Sequence, residues 1–147
     1  MRSKGGLKGG ARVSVPPVLD VKAGEIDQLV VKVTQGFSYQ SLMQFIERAQ
    51  LSKEDAIRLI KISPRTMHRR KETGKLSPEE SDRLVRAARI IDHARQLFEN
   101  DVKAANRWLS TPQPALAGAT PLEYARTEVG AREVEALISR LEYGIFS

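Results

Sequence analysis

LSKEDAIRLIKISPRTMHRRKETG, residues Leu51 to Gly74, reads as two short helices joined by a tight turn, the second strongly basic. Ser52 is a good N-cap, and Glu54 and Asp55 stand where the free N–H groups of a first turn favour negative charge. Ala56, Leu59 and Ile60 make an apolar stripe at helical spacing. Ser63 then caps a second helix with Pro64 at its first position, where the missing N–H costs nothing, and Ile62 can staple onto Met67. Gly74 suits the left-handed residue that closes it. Helix-turn-helix turns favour glycine where Lys61 stands, because that position tends to need a positive φ. Lys61 can adopt that conformation at a cost, so a turn somewhat different in shape from the usual one is expected.

Between those ends stand Arg65, Thr66, His68, Arg69, Arg70 and Lys71. A run of charge is commonly only a solvated face. Here the cap, proline and staple define the helix sharply, and the arrangement suits a recognition helix in the major groove of DNA. Arg65 and Arg69, one turn apart, are expected to reach bases; Arg70 and Lys71 are expected to touch phosphate.

On either side the punctuation continues. Ser77, Pro78 and Glu80 form a capping box that opens a helix running to about Phe98. Its stripe of Leu84, Ala87, Ala88, Ile91, Ala94 and Phe98 is widened by Val85, Ile90 and Leu97, so it must be covered from more than one side. The cover is either neighbouring helices or a second subunit. Upstream, Ser41 with Gln44 resembles a capping box before an apolar face of Leu42, Phe45, Ile46 and Ala49. Ile26, Leu29, Val30 and Val33 have helical spacing but β-branched chemistry, which favours a helix without excluding a strand. Met1 to Val15 is Gly-rich and carries Arg2, Lys4, Lys8 and Arg12 with no acid. Two readings stand for it, a basic arm touching phosphates and a flexible tail.

Downstream, a short helix from Val102 to Leu109 carries the only tryptophan, Trp108, and Thr111, Pro112, Pro114 and Gly118 break the chain. Thr120, Pro121 and Glu123 repeat the cap, proline and glutamate device. Thr127 opens a last helix with Val134, Leu137, Ile138 and Leu141 on one face and Gly144 as a stop. Tyr143, Ile145 and Phe146 then stand as apolar groups with two readings, a partner site or a fold back onto Trp108.

Composition narrows the classes. The 147 residues carry 24 Lys and Arg against 18 Asp and Glu, a net charge of +6 that fits a polyanion partner. The absence of cysteine excludes a disulfide framework and a thiolate nucleophile or metal site. No apolar run approaches membrane-spanning length, and no signal-peptide core follows the basic N-terminus, so a cytoplasmic protein is expected. His68 and His93 are the only histidines and have no partner at triad or metal-ligand spacing. His93 beside Asp92 is expected on a solvated face. An enzyme, a cofactor and a metal are all unexpected.

The C-terminal residues Trp108-Leu109, Pro112, Ala115-Leu116, Gly118, Pro121-Leu122, Thr127-Glu128, Gly130, Val134 and Leu137 resemble the toxin-binding domain of Xre/MbcA/ParS-type antitoxins. Arg65-Thr66, Arg69-Arg70, Leu76-Ser77 and Glu80-Ser81 resemble the helix-turn-helix of the same family. The resemblance implies an all-α protein in which an Xre-like helix-turn-helix module precedes a small helical toxin-binding module. Expected limits are a basic, partly flexible segment 1–36, a helix-turn-helix domain with its long following helix 37–100, and a toxin-binding domain 101–147. It further implies a bacterial antitoxin that covers the active site of a RES-domain, NAD-consuming toxin, represses its own operon and acts as a homodimer. Its operator-DNA contacts would be Ser63, Arg65, Thr66, His68, Arg69, Arg70 and Lys71. Its toxin contacts would be Trp108 and the tail Leu141, Glu142, Tyr143, Gly144, Ile145 and Phe146. A stand-alone helix-turn-helix regulator without a toxin partner is the alternative. The subunit interface is expected on the broad stripe after Ser77 or on the N-terminal segment.

Overall fold

The computed structural model describes residues 17–19 and 26–144; the basic stretch from Met1 to Val15, and Ile145 and Phe146, lie outside them. The described residues form α1 (Ile26–Gln35), α2 (Tyr39–Ala49), α3 (Lys53–Ile60), α4 (Pro64–Thr73), α5 (Pro78–Leu97), α6 (Val102–Leu109), α7 (Pro121–Tyr124) and α8 (Glu128–Gly144). A 3-10 turn spans Pro114–Leu116. From α2 onward every helix starts in the same way. A Ser, Thr or Asp side chain accepts the amide hydrogen three residues ahead: Ser38, Ser52, Ser63, Ser77, Asp101, Thr120 and Thr127. Each such cap satisfies an amide that has no partner in the helix and contributes about 1 kcal/mol. Ser77 with Glu80 and Thr120 with Glu123 close full capping boxes.

One start differs from the sequence reading. Helix α2 is capped by Ser38, not Ser41, and Ser41 is the residue whose amide that cap receives. The reason is a backbone contact between distant segments. Ser38 pairs with Lys75 in an isolated antiparallel bridge, with Tyr39 N donating to Gly74 O (2.8 Å) and Leu76 N to Phe37 O (2.9 Å). Gly36 makes the approach possible: it lies at φ +91°, and a Cβ there would drive into the Leu76 carbonyl oxygen.

Helix α5 is the hub. Leu84, Ile90, Ile91 and Ala94 are fully inaccessible and Ala87 and Ala88 nearly so, because α1, α2, α3, α6 and α8 all pack on it. The wide stripe is thus covered by the chain's own helices. Buried residues from Val18 to Ile138 join one apolar cluster around it. Helices α1 and α8 lean on this hub in different ways. No residue of α1 is buried, whereas α8 buries Gly130, Ala131, Val134, Leu137 and Ile138. Gly130 lets α8 begin against α7, since a side chain there would meet the Tyr124 carbonyl.

Polar ties complete the packing. Arg95 of α5 donates through Nη2 to the Arg48 carbonyl, and Asn106 of α6 donates to the carbonyls of Ala49 (3.1 Å) and Gln50 (3.0 Å). Side chains from two later helices thereby close the open carbonyl end of α2. Asp92 accepts from the Val18 amide (3.3 Å). Burial pushes the Asp92 carboxyl up and the Arg95 guanidinium down, and their mutual attraction opposes both shifts. On the α8 side, Arg86 meets Glu128 (3.0 Å), while Arg89 (2.9 Å) and His93 (3.2 Å) share Glu135. His93 thus stands in a contact between helices and not on a free solvated face.

Lys61 closes α3 at φ 58°, ψ 48°, with its amide donating to Arg58 O and the next amide, that of Ile62, to Ile57 O. Lys61 thus takes the left-handed conformation that glycine usually supplies in such a turn, and it is exposed. Left-handed backbone costs a non-glycine residue about 1 kcal/mol. Lys61→Gly should therefore stabilise the chain by about 1 kcal/mol and raise Tm by about 2–4 °C. Thermal unfolding followed by circular dichroism checks this; an unchanged or lower Tm would contradict the strain.

Candidate functional site

Helix α4 is set on the body by few contacts. Ser63 caps Thr66 N (3.1 Å) and donates its hydroxyl hydrogen to Thr66 Oγ1 (3.0 Å), so both hydroxyls take part in the helix start. Ile62 and Met67 are both buried in the common cluster, consistent with the staple. Met67 is the only buried residue of α4. At 100° per residue, Arg65, His68, Arg69 and Glu72 then share the outward side. Arg65, His68, Arg69 and Lys71 are all exposed, and His68 lies 3.9 Å from Glu72, also exposed. This outward strip is cationic, one turn repeated, and open to a polyanion.

Arg70 departs from the reading that gave it a phosphate. It stands three residues after Met67 and so on the inward side, where Nε donates to Glu80 Oε1 (2.8 Å) and Nη2 to Oε2 (3.1 Å). Only 22% of the Arg70 side chain and 8% of the Glu80 side chain are exposed. The same Glu80 Oε1 accepts the Ser77 amide at 2.8 Å. Burial pushes the Glu80 carboxyl up, but the Arg70 guanidinium and the Ser77 amide outweigh it and hold it below the ordinary value. The hydrogen bond to Glu80 in turn raises Arg70. The spacing from Met67 was the available signal; a stretch of consecutive basic residues hid it.

The second set of expected contacts lies on α6 and α8. Trp108 is half-buried, packed on the apolar cluster, with its ring 6.4 Å from Phe98 at 51°. It is therefore shared between core and surface. On α8, Tyr143 is 77% exposed, Leu141 is exposed on the same last turn, and Gly144 is open, while Glu142 is half-buried. The structure adds a residue the sequence reading passed over: Val129, 75% exposed at the start of α8. Val129, the half-buried Ala136 and Tyr143 recur at seven-residue intervals on one side, among the exposed Arg132, Glu133 and Arg140. The other exposed large apolar residues among those described are Ile26, Val30 and Val31, all on α1. No helix among the described residues is long and apolar enough to cross a membrane.

Two adjoining family models match these two regions. Residues 28–89 match the antitoxin Xre-like helix-turn-helix domain, and residues 93–144 match the antitoxin Xre/MbcA/ParS C-terminal toxin-binding domain. The chain is similar to the antitoxin Xre of Yersinia enterocolitica, with 38% identity over 120 residues that cover 81% of each chain. It is also similar to the antitoxin Xre of Pseudomonas putida, 30% identical over 135 residues, or 90% of this chain and 83% of that one. A more distant likeness is to the Prs ADP-ribosylating antitoxin of a Sphingobium strain, 24% identical over 135 residues, 86% of this chain and 84% of its counterpart.

Proposed function

The chain belongs to the Xre antitoxin family, and on that premise we propose that it neutralises a cognate RES-domain toxin with its C-terminal helices and represses their shared operon through α4. The observation that supports this is a division of surfaces. Exposed arginines occupy the outward side of α4 within the helix-turn-helix, whereas α8 leaves the large apolar residues Val129, Leu141 and Tyr143 exposed within the segment that matches a toxin-binding domain. An NAD-consuming toxin agrees with the Sphingobium relative, whose name speaks of ADP-ribosylation, a chemistry that draws on NAD. A toxin and operator DNA as partners would both fit a bacterial cytoplasmic protein.

For DNA, Arg65 and Arg69 are the base-reading candidates because both are exposed on the outward side of α4. Losing either should cost about 1–3 kcal/mol of operator affinity and relax specificity at one position. Gel-shift titration of Arg65→Ala and Arg69→Ala checks it; unchanged affinity in both would remove α4 as the reader.

For the toxin, the last turn of α8 is the inhibitory element. Deleting Leu141 to Ser147 spares the buried Leu137 and Ile138, so the chain should still fold and bind DNA. It should lose Tyr143 as an aromatic anchor, a type of contact that commonly carries about 2 kcal/mol or more. The full chain should co-purify with a RES-domain protein from its native host and rescue cells expressing it, and the truncated chain should do neither. Rescue by a truncated chain whose helicity is intact would exclude the tail.

We further assign the homodimer interface to α1. The broad α5 stripe is already covered within the chain, while Ile26, Val30 and Val31 are 64%, 59% and 50% exposed. A dimer would present two reading helices to half-sites about 34–36 Å apart. Val30→Lys should convert a dimer to a monomer in light scattering at micromolar concentration. A wild-type monomer, or a variant that stays dimeric, would refute this interface.

A further inference from the structure

Helix α4 raises a mechanical question that its contacts answer. Met67 is its only buried residue, and its ends are held by the buried Ile62 before it and by the Ser38–Lys75 bridge after it, so no other side chain of the helix itself fixes its roll by apolar packing. The polar side-chain tie from within the helix is the Arg70–Glu80 pair. Its geometry is bidentate, with Nε to Oε1 at 2.8 Å and Nη2 to Oε2 at 3.1 Å, which defines an orientation as well as a distance. Glu80 is itself immobilised, because Oε1 also accepts the Ser77 amide at 2.8 Å inside the capping box of α5. One buried carboxylate therefore joins the reading helix to the first turn of the hub. Four residues away, the Gly74 amide donates to the Arg70 carbonyl (2.7 Å), so the backbone of the same arginine closes α4.

We propose that Glu80 is a positioning residue for DNA reading: it clamps Arg70 and so sets the tilt of α4 at which Arg65 and Arg69 meet base edges. The proposal rests on α4 being the DNA-reading helix. It takes Arg70 out of the phosphate contacts, since moving its guanidinium to DNA would leave a buried carboxylate unpaired. The clamp acts on sequence discrimination through Arg65 and Arg69, while an exposed cation that meets phosphate, such as Lys71, acts on general affinity for the polyanion.

The test uses the full chain and a duplex that the wild-type chain selects from a random pool, with a shuffled duplex of equal composition as reference. Two conservative variants give opposite outcomes under the two roles of Arg70. Glu80→Gln keeps an acceptor for the Ser77 amide and removes the charge that holds Arg70. Arg70→Lys keeps the charge that a phosphate needs but not the fork that Glu80 grips. If Glu80 positions α4, both variants lose roughly tenfold in preference for the selected duplex over the shuffled one, as expected when a base contact is misplaced. Their binding to the shuffled duplex and their salt slope stay at the wild-type values. If Arg70 is a phosphate contact, Glu80→Gln instead tightens binding to both duplexes, and Arg70→Lys changes nothing. That result overturns the proposal. So does a preference ratio that stays constant in both variants while only Tm falls, which marks a merely structural pair. Circular dichroism at the assay temperature confirms that each variant is folded, and either variant alone separates the two roles. A wild-type chain that selects no duplex defeats the DNA reading itself, before any variant is made.

Discussion

Burial of α5 on most of its circumference is the constraint on which the other helices depend. Fully burying a side chain such as Leu84, Ile90 or Ile91 contributes about 1.5–3 kcal/mol, whereas each exposed ion pair around the hub contributes about 0–1 kcal/mol. The apolar term therefore decides that α1, α2, α3, α6 and α8 converge on one rod, and the ion pairs set how they sit on it. Alanines at 87, 88 and 94 keep the surface of that rod low, so that neighbouring backbones come close.

The two functional faces inherit their positions from this hub. Helix α4 is tied to the first turn of α5 through Arg70 and Glu80, and α8 lies along α5 with Glu128 and Glu135 facing Arg86, Arg89 and His93. The closing of α2 by Arg95 and Asn106 adds a third link, in which a side chain of the C-terminal matched segment completes a helix of the N-terminal one. These are polar groups with directional demands, placed where apolar packing alone would leave orientation loose. Among the residues left uncovered are the cations on the outward side of α4 and large apolar residues on α1 and α8.

Much of this was legible in the residues alone. Ser52, Ser63, Ser77, Thr120 and Thr127 each announce a helix because the interaction that starts it closes within four residues. The all-α class, the helix-turn-helix with its left-handed Lys61 and the family likeness all follow from such short-range patterns. The start of α2 was misread because Ser38 is placed by its bridge to Lys75, a residue far along the chain.

The same distinction separates the site residues. That α4 is basic is a property of its sequence, and so is the outward position of Arg65 and Arg69 once the helix is phased by Ser63 and Met67. That Arg70 belongs to Glu80, that His93 and Arg89 share Glu135, and that Val129 is left bare while Trp108 is half-covered could not be read in advance. Helix starts depend on bonds across three residues, where chain connectivity leaves few alternatives. The pairing and exposure of side chains depend on how whole helices cross. Those crossings are set by the shape of the buried surface along α5, which exists only when every helix that covers it is in place.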